Sequence, residues 1–279
     1  MRARLSYLIG AAIFFASCHT PRYVYAPSPP DNPFFKNKGD SKISGCYSMG
    51  NDEGNGEKNR GFDIQGAYAI TDHWAITADH FYRRERDVYN FSEYSTFDSS
   101  IVNYKRNITG FGTGYFREMN RRGTVFFTVY GGVGFGKFNI HESGKDTTPA
   151  VYSRLYQSNL TKWYLQPGIN FMPRSAFWCS VTTRFVFAKY SRATTTYSQS
   201  EQETFNLKNL DGRTLSFFEP SYNMQVSVPH CPWLKINGGF SLSLNFTPNW
   251  DENNGSYYDS RGITASLGLT FDPSGIKRK

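Results

Sequence analysis

The chain has 279 residues, of which 17% are aromatic and 19% charged, with a mean hydropathy of −0.54. The length would hold one large domain or two ordinary ones, but nothing in the interior marks a boundary. Low hydropathy with abundant Tyr and Phe suits strands that are apolar on one face only, and the net charge of +8 comes without a clustered basic helix, which argues against nucleic-acid binding.

In chain order, the one continuous apolar run comes first, from Leu5 to Ala16 after Arg2 and Arg4. It is too short to cross a bilayer as a helix and has the charged and apolar regions of a secretory signal, assigned to residues 1–17. Its removal would take two charges from +8 and leave about +6, a surplus suited to anionic lipid headgroups. Small residues then precede Cys18 in Phe15-Ala16-Ser17-Cys18. Residues 18–39, rich in proline between Pro21 and Pro30, are unsuited to helix or sheet ladder and predict a tether ahead of the first strand.

From residue 40 to 272, ten alternating segments follow, joined in turn by long polar stretches and tight turns. The tight turns fall at Thr71–His73, Met119–Gly123, Pro173–Ser175 and Pro229–Pro232; the long stretches fall at 49–60, 87–100, 141–158, 191–212 and 248–258. This rhythm predicts an all-β, antiparallel, up-and-down transmembrane barrel of about ten strands, with the loops at one end and the turns, together with both chain ends, at the other. The runs 101–117 and 124–140 exceed the five or six residues usual in a soluble strand and meet the roughly 9–11 a bilayer crossing needs.

Period two separates a lipid row from a lumen row. Trp74, Ile76, Ala78 and Tyr82 oppose Thr77, Asp79, Arg83 and Glu85; Phe218, Tyr222, Met224 and Val226 oppose Glu219, Ser221, Asn223 and Gln225. Leu234, Ile236, Phe240 and Leu242 oppose Lys235, Asn237 and Ser241; Ile263, Ala265, Leu267, Leu269 and Phe271 oppose Gly262, Thr264, Ser266, Gly268 and Thr270. The fourth segment, with Gly110, Gly112 and Gly114 on one row and Phe111 and Tyr115 on the other, leaves its lipid face open; glycines there would let a bulky lumen residue approach the wall. Trp74, Tyr115, Phe116, Trp163, Phe171, Phe177, Trp178 and Trp233 predict an aromatic girdle near the turn end.

These features resemble the small outer-membrane β-barrel proteins of Gram-negative bacteria, of a lipoprotein type. Phe15-Ala16-Ser17-Cys18 is similar to a lipobox, with Phe where Leu is usual; the resemblance implies lipidation at Cys18, and conventional cleavage that leaves Cys18 incidental is the alternative. Residues 262–271 resemble the C-terminal insertion signal of that class, carried by Leu267, Leu269 and Phe271, although a basic tail, 273–279, follows it. The resemblance implies an outer-membrane location with loops outward and both termini periplasmic. The implied partners are outer-membrane lipids, lipopolysaccharide and the barrel-insertion machinery.

A ten-stranded barrel lies near the filled eight-stranded size and far from the 16 to 18 strands of an aqueous channel. The charges expected in the lumen, Asp63, Asp79, Arg83, Arg184, Glu219 and Lys235, would then satisfy one another, or line a narrow selective conduit. A hydrolase is the third reading, with His80 beside Asp79 or His141 beside Glu142 as candidate bases. Neither has a diagnostic spacing to a nucleophile, and no phosphate loop, CxxC pair or metal cluster appears, so no catalysis and no cofactor are expected. Cys46, Cys179 and Cys231 fall in different sectors, and no disulfide or zinc site is expected among them.

Overall fold

The computed structural model describes residues 22–29, 32–50, 58–90, 99–145, 151–173, 176–247 and 258–273. The signal segment, Cys18 and residues 274–279 of the tail lie outside them. In chain order the elements are β1 (Tyr23–Tyr25), β2 (Ser41–Gly50), β3 (Lys58–Ala69), β4 (Trp74–Asn90), β5 (Ser99–Glu118), β6 (Val125–Lys145), β7 (Val151–Phe171), β8 (Phe177–Thr195), helix α1 (Gln199–Thr204), β9 (Thr214–Val228), β10 (Cys231–Leu242), β11 (Leu244–Asn245), β12 (Asp259–Ser260) and β13 (Ile263–Phe271).

Ten of these, β2 to β10 and β13, pair antiparallel in sequence order, and β13 closes the ring on β2 with Phe271 opposite Ile43 and Thr264 opposite Gly50. The expected transmembrane barrel forms because alternation supplies one apolar row per strand and closure leaves no unpaired edge. Ile76, Met224, Ile236, Phe240, Leu267 and Leu269 all stand on the outer face. In the fourth barrel strand, β5, Phe111 points outward at 58% exposure and the glycine row points inward. Gly114 makes room for Tyr130, whose ring would overlap any Cβ placed there.

The strands run further than the spacing suggests. Residues 87–90, 99–100, 141–145 and 151–158, expected as loop, are ladder: β5 and β6 stay in register from Glu118 opposite Phe126 to Ser99 opposite Lys145. At about 3.3 Å per residue and a tilt near 40°, a strand of this length stands roughly 50 Å tall, about twice the apolar band of such barrels. The outer rows record the difference. Phe111, Phe127 and Phe135 are outward in the turn half, whereas Asn103, Lys105, Asn107, Lys137 and Asn139 occupy the same rows in the loop half. There the inward row gains apolar residues, with Val102, Tyr104, Phe138 and Ile140 buried beside Arg106 and Glu142. Outside the bilayer, water reverses which face must be polar.

The largest departure concerns the tether. The described part of 22–36 lies inside the barrel, not ahead of it: Arg22, Val24, Tyr25, Ala26, Ser28, Asn32, Phe34 and Phe35 are all buried. Tyr25 stacks on Phe217 at 4.0 Å, and β1 pairs parallel with β12 near the long loops. At the turn end Phe35 meets Phe116 at 6.0 Å, and Phe34 meets Trp178 at 5.9 Å. Arg22 therefore sits at the loop mouth, opposite to the end at which a periplasmic tether would leave it. Phe116 and Trp178 pack against this segment and not in the outer girdle, whereas Trp74 and Tyr115 form an outward edge-to-face pair at 5.6 Å.

Loop 196–213 covers the loop mouth. Ser198 caps α1 in a capping box with Glu201, and Phe205, Leu207 and Leu210 turn down into the same core as Tyr25 and Phe217.

Candidate functional site

Among the described residues polar chemistry converges in the lumen, and the strands arrange it in three layers. Near the turns, Lys235 of β10 pairs with Asp272 at 2.7 Å, its ammonium 3.7 Å from the Trp178 ring centroid.

In the middle layer, the β8–β9 register sets Arg184 directly opposite Glu219. Both Nε and Nη2 of Arg184 donate to Glu219 Oε2, at 2.7 and 2.6 Å, and Nη2 also donates to the Ser28 carbonyl at 2.6 Å. Asp63 and Arg83 meet through a hydroxyl: Ser48 Oγ donates to Asp63 Oδ2 at 2.9 Å and accepts from Arg83 Nη2 at 3.0 Å. Asp79 and Lys162 border the same small cavity as Asp63 and Arg184, and Lys162 donates to Ser28 Oγ at 3.3 Å.

The loop-side layer is the part that sequence reading missed. Glu85 accepts from Arg106 at 2.6 Å and lies 3.5 Å from Arg261, which also binds Asp87. Arg22 pairs with Glu142 at 2.9 Å with its guanidinium 3.8 Å from the Phe205 ring centroid. Tyr197 donates to Glu142 Oε2 at 2.7 Å; burial, together with that carboxylate, pushes the phenol far above its ordinary range and keeps it a donor. Parity carried a signal for Glu85, which shares a row with Arg83, and for Arg106, which shares the glycine row. Arg22 carried none, because its place depends on the threaded segment.

Between these layers little space is left. Cavities lined by Ser28, Asp63 and Lys162, by Asn32, Cys46 and Asn237, and by Phe34, Lys42 and Lys235 measure about 10, 20 and 10 Å³, each the size of a single water. Cys46, Cys179 and Cys231 form no disulfide among the described residues, and Cys46 Sγ accepts from Asn237 Nδ2 at 3.2 Å.

The candidate bases lie elsewhere. His80 faces outward, Nδ1 at 2.9 Å from Thr109 Oγ1, and His141 sits within β6, not in a loop, with Nε2 3.2 Å from Ser153 Oγ. Among the described residues neither histidine has a carboxylate partner, and the Glu142 beside His141 points into the lumen toward Arg22. Leu267, Leu269 and Phe271 line the outer face of β13.

No family model matches the chain, and no curated protein matches it. Similar solved structures include the translocator domain of the autotransporter NalP from Neisseria meningitidis, at 12% identity and a TM-score of 0.45, covering 97% of this chain and 94% of that one. Ail, the attachment invasion locus protein of Yersinia pestis, is 15% identical with a TM-score of 0.35, over 84% of this chain and 99% of that one. OmpT, an outer membrane protein of Vibrio cholerae, is 7% identical with a TM-score of 0.27, over 84% and 96%.

Proposed function

We propose that the chain is a non-enzymatic outer-membrane β-barrel with a structural or surface-interaction role in a bacterial envelope, its long loops facing outward among lipopolysaccharide. One observation carries this reading. The described residues 22–29 and 32–36 lie within the lumen, nearly all of them buried, and Phe205, Leu207 and Leu210 of loop 196–213 pack into the same core at the loop mouth. A porin-like conduit needs a continuous path, and the enclosed spaces here hold about one water each. A hydrolase needs a base oriented by a third group, and His80 and His141 contact single hydroxyls. Recognition then falls to the loops, which a sealed and rigid wall can present without being unfolded by their variation.

The test is surface labelling of intact cells that carry an epitope at Asn209, in the exposed part of loop 196–213, or in the turn at Pro229–His230. Labelling at Asn209 alone supports the reading. Labelling at the turn alone reverses the orientation, and a soluble product lacking heat-modifiable migration on gels would sink the membrane assignment.

A further inference from the structure

Inside the barrel, wall side chains donate to backbone carbonyls of the threaded segment, while Arg22 and Asn32 donate in return to Glu142 and Asn170. The carbonyl of Tyr23 accepts from Arg106 Nη2, that of Val24 from Tyr190 Oη at 2.8 Å, and that of Pro27 from Thr264 Oγ1 at 3.1 Å. Ser28 accepts from Arg184 Nη2 at 2.6 Å, Pro29 from Gln65 Nε2 at 3.3 Å, and Pro33 from Asn170 Nδ2 at 2.9 Å. These donors come from β3, β5, β7, β8 and β13, so they surround the segment.

The composition of the segment is complementary. An ordinary extended peptide brings one N–H per residue into this space, and each one left unpaired costs about 1–3 kcal/mol. Pro27, Pro29, Pro30 and Pro33 bring none, and Pro27, Pro29 and Pro33 hold an extended chain with their carbonyls turned to the wall. Most of the wall's grip is on backbone, with Tyr25 and the Phe34–Phe35 pair docked in apolar seats towards either end. The ring of ten strands satisfies its own backbone by strand pairing, without help from the segment.

We propose that the lumen is a binding site for an extended, proline-rich polypeptide recognised through its carbonyls, and that residues 22–36 are its intramolecular ligand. The site goes beyond a sealing role, since a separable ligand can be exchanged. It does not depend on which way the barrel faces.

The experiment uses the full chain with a protease site inserted after Lys38, in the exposed turn 37–39. The protein is folded in detergent and then cut. The cut barrel is expected to release its fragment in urea that leaves the heat-modifiable band intact. It should then bind a fluorescein-labelled synthetic peptide of residues 22–36, read as a rise in anisotropy that unlabelled peptide reverses, while uncut protein binds none. A peptide with the four prolines changed to alanine is expected to bind roughly tenfold more weakly or worse, the equivalent of one unpaired N–H. Three results would overturn the proposal: a fragment that leaves only as the barrel unfolds, an emptied and intact barrel that binds no peptide, or equal binding of the two peptides.

Discussion

Replacing Arg184 with Met removes a guanidinium that holds Glu219 through two hydrogen bonds and the Ser28 carbonyl through a third. Glu219 is fully buried, so the variant leaves a carboxylate with no water to turn to. Breaking a buried pair from one side costs about 3–5 kcal/mol, and an orphaned carbonyl adds about 1 kcal/mol or more. Against a total stability of about 5–15 kcal/mol, this is a large fraction. Glu219→Gln alone, which leaves Arg184 its Ser28 carbonyl, is expected to cost about 3 kcal/mol. The double variant removes both charges, and its cost is expected to fall to about 1–3 kcal/mol, less than Arg184→Met alone. Equilibrium unfolding in guanidinium, with the barrel in detergent and followed by tryptophan fluorescence, reads all three. Additive costs, with the double variant worst, would refute the account of Arg184 as the counter-ion of Glu219.

Four further outcomes follow from other parts of the molecule. Gly114→Val drives a side chain into the Tyr130 ring and is expected to destabilise the barrel by about 1–3 kcal/mol, and to add little further cost in a Tyr130→Ala background; unfolding midpoints check it. Leu267→Arg, on the outer face at 64% exposure, is expected to cost about 2–4 kcal/mol in lipid, whereas no loss in folding yield would contradict a lipid-facing row. Burial raises the Glu201 carboxyl, but the Ser198 hydrogen bonds and Arg154 outweigh it and hold the group below its usual range. That contribution is present above the unfolded value of about 4.3 and is lost as pH falls through the folded one, so proteolysis of loop 196–213 should quicken in acid, and at neutral pH in Ser198→Ala. A tag placed directly ahead of Arg22 is expected to label from the same side of the membrane as one at Asn209 and from the opposite side to Pro229; labelling with the turn would contradict the threaded direction.

The amino-acid sequence by itself determined the ring. Strand number, the tight turns and the outer rows of β4, β9, β10 and β13 are local quantities, because period two and turn chemistry are written within a few residues of one another. Arg184 and Glu219 were legible as lumen residues for the same reason, since parity along each strand is enough to place them. The faces of β5 and the ladder through 141–158 were not, because period two names two rows without saying which one meets water, and the answer changes where the strand leaves the bilayer. Only the tertiary structure decided what fills the ring. A proline-rich segment has no period, and its carbonyls find their donors on strands up to 237 positions away, at Thr264. The segment 22–36 reads as a tether in isolation and as a ligand once ten strands have closed around it, because a hydrogen-bond donor becomes a site only where the fold has also excluded water.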